Sequence, residues 1–327
     1  MDGRIGWGIL STGGIARTFT ADIQAAGLEV AAVGSRSQGS AEAFGREFGV
    51  PGRHPSYEEL CADPTVDVVY VATPHPFHCA NALLALRSGK HVLVEKPFAV
   101  NAREARALVD EARSRGLLLM EAMWTRFLPT MVALRDIIGS GGLGEVRAVI
   151  ADHNQHLPLE RAKRLHLPEL GGGALLDLGV YPVSFAHMLL GPPAKILATA
   201  KLTELGVDED MALALEWESG AHASLHCGMM AAGPNRAAVI GNRGWVEIER
   251  VWYCQADFAQ YSPEGQVLRR FSERVPGRGM QCQALEVERL LREGKTESPH
   301  MSLEASLEVM GIMDEARRQC GVRYPSE

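Results

Sequence analysis

No C-x-x-C pair occurs among the six cysteines of this 327-residue sequence. Cys61, Cys79, Cys227, Cys254, Cys282 and Cys320 are scattered, which argues against a disulfide framework or a zinc site and predicts reduced thiols in the cytoplasm. An excess of basic charge is also missing. Lys and Arg number 33 against 40 Asp and Glu, a net charge of −7, which excludes the clustered cationic surface that nucleic acid requires. No run approaches the roughly 20 apolar residues of a membrane span, so no membrane partner is expected. The opening MDGRIGWGIL goes straight into a strand pattern, without the charged start and cleavage site of a signal peptide. Repeats and low-complexity tracts are absent. What is present, 46% apolar and 22% charged residues, suits a soluble globular protein whose length favours two domains.

The two expected domains differ in pattern. In residues 1–123, the runs IGWGIL (5–10), LEVAAVGS (28–35), VDVVYVAT (66–73) and HVLVEK (91–96) read as strands, with helical periodicity between them. Ser56 with Glu59, and Asn101 with Glu104, have capping-box spacing, and Gly27 and Gly116 read as helix stops. Alternating strands and helices predict a doubly wound parallel sheet. In residues 124–327, an apolar helix over about 173–190 precedes strand-like runs at 195–204, 209–217, 221–230, 236–241 and 244–249. ESG (218–220) and GNRG (241–244) read as hairpin turns, and a helix over about 302–320 closes the chain. The second domain is therefore expected to be α+β, with a large, mainly antiparallel sheet.

The first strand-to-helix turn is Ser11-Thr12-Gly13-Gly14-Ile15-Ala16. Set against the dinucleotide fingerprint G-x-G-x-x-G/A, Gly13 falls on the glycine that admits the pyrophosphate and Ala16 on the close-packing position, while Ser11 replaces the first glycine. The following helix start would bind the pyrophosphate through its N–H groups and dipole. The second strand ends in Ser35-Arg36-Ser37, where an NAD site usually carries an acid. An arginine flanked by hydroxyls suits a 2′-phosphate, so NADP is the expected cofactor and NAD the alternative. Thr73, His75 and His78, in ATPHPFH, fall at the same rim and are candidates for the cofactor channel; no metal site is expected there.

The stretch VLVEKPFAV (92–100) runs three apolar residues into a glutamate and a lysine, the residue types a core accepts least readily. At the carboxyl end of a strand in an open α/β sheet, where ligands bind, Glu95 and Lys96 would face a crevice instead. Pro97 stops the strand, and a cis bond is natural there.

EKPFAVN after such a unit resembles the Gfo/Idh/MocA oxidoreductase family. LLLMEAMWTRFLP (117–129) and GGGALLDLGVYPVSF (171–185) are similar to its dimeric dihydrodiol dehydrogenase and NADP-dependent D-xylose dehydrogenase branch, and the similarity runs down to the closing GVRYP. The resemblance implies a Rossmann-like dinucleotide-binding domain followed by a substrate-binding and oligomerisation domain. It implies hydride transfer between a nicotinamide and a carbinol carbon of a carbohydrate or cyclic diol, in a homodimer or higher homo-oligomer. Lys96 matches the family's catalytic lysine, and Asp177 and Tyr181 match its Asp-x-x-x-Tyr pair. Trp124 and Arg126, in WTRF, resemble residues that contact nicotinamide or substrate.

Spacing adds that Asp177 and Tyr181, at i and i+4, project from one face of a helix. The run Gly171-Gly172-Gly173 would let that helix start approach the nicotinamide end of the cofactor. Free tyrosine, with a pKa of about 10, is a poor base; a nearby Lys96 ammonium would lower that value. Tyr181 is thus the expected proton donor and acceptor, Lys96 its electrostatic partner, and Asp177 the substrate positioner. Trp252 reads equally as a sugar platform or core, His153 and His156 as weaker pocket candidates, and ERAKRLH (160–166) as a solvated loop. Two other functions fit the fold: a non-catalytic dinucleotide-binding regulator and an NAD-dependent glycoside hydrolase.

Overall fold

A computed structural model describes residues 3–325 and 327. The chain groups into two compact units, one formed by residues through Trp124 with Pro276–Leu307, the other by Thr125–Val275 with Glu308–Glu327.

The first unit carries strands β1 (Gly6–Leu10), β2 (Glu29–Gly34), β3 (Gly52–His54), β4 (Val68–Val71), β5 (His91–Glu95) and β6 (Leu119–Ala122). They form one parallel sheet in the order β3-β2-β1-β4-β5-β6. Helices α1 (Gly14–Ala25), α2 (Gln38–Phe48), α3 (Tyr57–Ala62), α4 (His78–Arg87) and α5 (Ala102–Arg115) connect them. Every residue of β1 and β4 is buried, as expected where helices cover both faces of a parallel sheet. Strand order reverses between β1 and β4, which makes the carboxyl ends there the ligand crevice of such a sheet. The expected caps form: the Glu59 N–H donates to Ser56 Oγ at 3.1 Å and the Glu104 N–H to Asn101 Oδ1 at 2.9 Å.

In the second unit, α6 (Pro129–Gly139), β7 (Val146–Asn154), a short helix α7 (Leu159–Ala162), a π-helical turn (Leu175–Gly179) and α8 (Val180–Leu190) precede the remaining strands. These are β8 (Lys195–Leu202), β9 (Asp208–Glu216), β10 (His222–Gly228), β11 (Ala237–Gly241), β12 (Gly244–Ile248), β13 (Phe258–Tyr261) and β14 (Val267–Phe271). The sheet order is β14-β13-β12-β11-β7-β10-β9-β8. Only the β7–β10 pairing is parallel, so the sheet is mainly antiparallel, as expected. The segment Pro168–Leu190 is long and apolar enough to cross a membrane, contrary to the expectation that no run is. Within its most apolar stretch, however, 83% is buried, and α8 packs on β7 and β10 as the core helix of this unit.

One boundary near residue 124 does not describe the units. Helix α9 (Gln281–Arg292) belongs to the first unit, and α10 (Leu303–Cys320) follows it. Asp22 on α1 explains the return: its carboxylate accepts from the N–H groups of Arg278 and Met280 at 2.9–3.1 Å. Trp7 Nε1 donates to Glu288 Oε1 at 3.2 Å. The buried acid and indole of the first unit find their partners almost at the other end of the chain.

Candidate active site

At the first turn, Gly13 caps α1 in extended conformation and no side chain satisfies the helix start. A Cβ on Gly13 would meet only Ser11 Oγ, at 3.9 Å, and one on Gly14 would meet nothing. Packing within the chain therefore does not demand these glycines, and the space they leave suits the close approach of a pyrophosphate. Thr12 and Ile15 flank the turn, half-buried. Ser11 takes φ 104°, the backbone of the glycine it replaces, at a cost of about 1–3 kcal/mol. The Tyr57 phenol lies near the Ser11 hydroxyl and near the exposed Arg36. Burial raises the Tyr57 pKa, against the opposing Arg36 charge. Tyr57 carries no sequence signal beyond following a cap. Ser35 is buried, its N–H donating to the His54 carbonyl at 3.1 Å, and Ser37 serves as the α2 cap. This turn, open at its glycines and with an arginine where an acid would grip a ribose, fits a dinucleotide bearing a 2′-phosphate.

Around the end of β5, Lys96 is half-buried and joins Pro97 through a cis peptide. Glu95, expected to face a crevice, is instead 4% exposed and accepts from the Tyr70 hydroxyl. Tyr70 stacks on Phe19 with centroids 3.8 Å apart, so this glutamate anchors the sheet core. His78 is fully buried, its Nδ1 2.8 Å from the Pro97 carbonyl and its Nε2 2.8 Å from the Thr73 carbonyl. A charged ring would donate to both. Burial first, then the charges of His75 and Lys96, push its pKa down to about 3, so the ring is neutral and donates to one. His78 thereby ties the Thr73 rim to the cis-proline turn. His75 is buried edge-on to it, centroids 5.7 Å apart, and Thr73 Oγ1 accepts from Asn81 at 3.2 Å.

In the second unit the expected continuous helix over 173–190 begins with the wide turn Leu175–Gly179, in which the Val180 N–H reaches back to the Leu175 carbonyl. Asp177 lies in this turn and Tyr181 in the first turn of α8, so the pair straddles the junction between them. Asp177 is buried and accepts from Arg164 Nη2 at 2.8 Å. The run 160–166 is therefore not simply a solvated loop. Tyr181 sits in an aromatic group with His153 on β7, centroids 5.0 Å and planes 72° apart, and with Tyr253, 5.3 Å away. Gln155 Nε2 donates to His153 Nε2 at 2.8 Å. Tyr253 is held on a tight loop by Thr125 Oγ1, which donates to its carbonyl at 2.6 Å. Val251 there adopts φ 64°, a strained backbone for a β-branched residue.

Other candidates are placed elsewhere. Arg126 is buried and donates from Nε to Ser184 Oγ at 2.8 Å and from Nη2 to the Ser184 carbonyl at 2.9 Å; these bonds tie it to α8 within the second unit. Trp124 is buried in the first unit under the Arg278 guanidinium, 5.2 Å from the ring centroid. Trp252 is core: fully buried, tilted on Phe185, and donating to the Asp152 carbonyl at 2.8 Å. His156 is exposed and pairs with the Met230 carbonyl. The close neighbours of Gly172 and Gly173 belong to their own unit. A Cβ on Gly172 would lie 2.6 Å from the Leu165 carbonyl, and one on Gly173 2.1 Å from Asp208 Oδ1.

Residues 5–123 match the GFO/IDH/MocA oxidoreductase family, NAD-binding Rossmann fold, and residues 131–247 match the GFO/IDH/MocA C-terminal domain. Trans-1,2-dihydrobenzene-1,2-diol dehydrogenase of Mus musculus is 38% identical over 336 residues, spanning 98% of each chain. Among solved structures, aldose-aldose oxidoreductase from Caulobacter crescentus complexed with glycerol is similar at TM-score 0.89 and 26% identity, over 98% of each chain. A 3-ketoreductase from Actinomadura kijaniata, in complex with NADP and TDP-benzene, is similar at TM-score 0.84 and 28% identity, covering 97% of this chain and 98% of that one. With both of its halves matched and a full-length relative well above a third identical, the chain belongs to the GFO/IDH/MocA oxidoreductase family.

Proposed function

We infer that the protein is an NADP-dependent dehydrogenase or reductase acting on a CH–OH group of a sugar or cyclic diol. The observation that carries this reading is Tyr181 held by His153 and Tyr253 one short turn from the ion-paired Asp177, in a chain whose dinucleotide turn ends beside Arg36 and Tyr57. The names of the relatives, a diol dehydrogenase, an aldose-aldose oxidoreductase and a 3-ketoreductase, agree with that substrate class.

A bound nicotinamide supplies or accepts the hydride. Gly13, Gly14 and the α1 start hold the pyrophosphate, and Arg36 with the Tyr57 and Ser11 hydroxyls holds the 2′-phosphate. In the oxidative direction Tyr181 Oη takes the proton of the substrate hydroxyl; in the reductive direction it returns that proton to the new alkoxide. Asp177, fixed by Arg164, accepts a neighbouring substrate hydroxyl and orients the carbinol carbon. Lys96, at the end of β5, takes the role of the family's catalytic lysine.

The test is NADPH formation with a panel of aldoses and cyclic trans-diols, run in parallel with NAD. Turnover with one of these substrates, preferring NADP and lost in Tyr181→Phe, is the expected result. Tight NADPH binding with no turnover on any of them would favour a sensor, and near-normal turnover in Tyr181→Phe would remove the central assignment.

The reading includes self-association through the open sheet face. Ile150 and Leu197 are 48% and 52% exposed there, and two shallow grooves of about 490 and 550 Å³ share Ile150 and Asp152. An antiparallel sheet with one uncovered apolar face commonly pairs with a copy of itself. Sedimentation of the wild type is expected to give a dimer or larger, and Ile150→Glu with Leu197→Glu a monomer.

A further inference from the structure

The wide turn Leu175–Gly179 ends between the two residues proposed to do the chemistry, Asp177 and Tyr181. A π-helical turn inserts one extra residue into the hydrogen-bonded ring and rotates everything after it relative to what precedes it; such turns recur at functional sites. A turn of this kind reverts to regular α-helix unless something holds it open.

Two buried side chains hold this one. At its start, Asp208, fully buried at the head of β9, accepts from the Leu175 N–H through Oδ2 at 2.6 Å. Gly173, at φ 106°, makes the approach possible, since a Cβ there would lie 2.1 Å from Asp208 Oδ1. At its end, Gly179 packs on Cys227 of β10, where a Cβ would lie 2.8 Å from Sγ. Asp208 and Cys227 therefore fix the turn at both ends against neighbouring strands.

We propose that Asp208 and Cys227 are positioning residues, which clamp the wide turn and so set the angle between Asp177 and Tyr181. This rests on the reading of those two residues as the proton-transfer and substrate-positioning groups. Asp208 acts through the backbone of residues 174–175 and touches no substrate. Its surroundings also give it a signature. It lies near the buried thiol of Cys227 on β10, Arg317 and Cys320 on α10, and the Tyr324 phenol, which donates to the Gly172 carbonyl at 2.6 Å, and the charge of Asp210 on its own strand acts on the same thiol. Burial outweighs the backbone bonds and the Arg317 charge and raises the Asp208 pKa to about 7. The clamp thus changes charge in the neutral range, and turnover governed by it changes there too.

Asp208→Asn, Cys227→Ala and Tyr181→Phe are compared with wild type in kcat, KM, NADPH dissociation constant, melting temperature and kcat against pH. Both clamp variants are expected to bind NADPH as the wild type does, while kcat falls about ten- to a hundredfold, the cost of a misplacement on the scale of 1 Å. Wild-type kcat is expected to show an inflection near pH 7 that vanishes in Asp208→Asn and persists in Cys227→Ala. Unchanged kcat in either folded variant overturns the proposal, as does an inflection that survives in Asp208→Asn, even if melting temperature drops; in those cases an inactive Tyr181→Phe leaves the functional reading standing. Should Asp208→Asn fail to fold, Cys227→Ala decides alone. Full activity in Tyr181→Phe overturns both the functional reading and this one.

Discussion

His153 lies flat against Tyr253, with ring centroids 3.7 Å apart and planes 25° from parallel. One face of the imidazole is thus covered by a phenol, and the ring stands across Tyr181 at 5.0 Å. Stacked aromatic pairs contribute about 0.5–1.5 kcal/mol beyond their buried area. Here that energy holds the neighbour of the proposed proton carrier in one orientation. His153→Ala is expected to lower kcat about tenfold through misplacement of Tyr181, and His153→Phe, which keeps the flat contact, to restore most of it. Steady-state kinetics of the two variants check this; equal kcat in wild type and His153→Ala would show that the stack does not position the phenol.

Arg164 is half in solvent, whereas its partner Asp177 is 11% exposed at the side chain. Removing the cation leaves a mostly buried carboxylate without it, which costs more than the loss of an exposed pair. Arg164→Met is expected to reduce kcat/KM by about tenfold or more, roughly the loss of one charge-assisted hydrogen bond, with NADPH affinity unchanged. Arg164→Lys is expected to recover part of the loss. A variant Arg164→Met with wild-type kcat/KM would mean that Asp177 needs no fixing from this segment.

The Tyr57 hydroxyl lies near both Ser11 and Arg36. Deleting that hydroxyl in Tyr57→Phe is expected to cut the NADP-to-NAD ratio of kcat/KM by roughly tenfold, the equivalent of one hydrogen bond to a charged group. Arg36→Ala is expected to cut it further. Ratios measured under identical salt decide the matter; a ratio unmoved by both changes would place the 2′-phosphate elsewhere.

Two buried groups give stability opposite slopes with pH. The folded His78 ring titrates at about 3, against an ordinary 6.5. Between these values the unfolded chain takes up a proton that the folded chain refuses, so this contribution is whole above pH 6.5 and is lost as pH falls. Asp208 holds its proton to about 7, against an ordinary 3.8. Its contribution is whole below pH 3.8 and is lost as pH rises through about 7. Between about pH 5 and about pH 8, urea unfolding is expected to show that His78→Gln removes a rise in stability and Asp208→Asn removes a fall. A pH 5 to pH 8 difference unchanged in both variants would assign the pH dependence to other groups.

Much of the fold was legible because its signals are local. Strands such as Gly6–Leu10 are buried on both faces and read as unbroken apolar runs, and Ser56 and Asn101 cap the helices their spacing implies. Strand β14 escaped notice because Val267–Arg270 is exposed and shows no alternation. The π-turn escaped because periodicity cannot distinguish it from α-helix in a segment buried all round. Lys96, Asp177 and Tyr181 were singled out through resemblance, but the contact of Tyr181 with Tyr253 was not. Tyr253 is fixed by Thr125, 128 positions away, and nothing in VWYC announces that contact. Strand position told where Glu95 lies, but the tyrosine that donates to it, Tyr70, is 25 positions earlier.

The bonds from Asp22 to the amides of Arg278 and Met280, and from Trp7 to Glu288, bear on how the protein is made. A ribosome finishes the six parallel strands long before it synthesises the segment that closes over α1. Until that late stretch emerges, the nascent nucleotide-binding half carries a buried-type acid and an indole N–H with no counterpart. Its completion therefore waits for nearly the whole message to be read, and a fragment ending near residue 124 is expected to be retained by chaperones rather than released as a finished body.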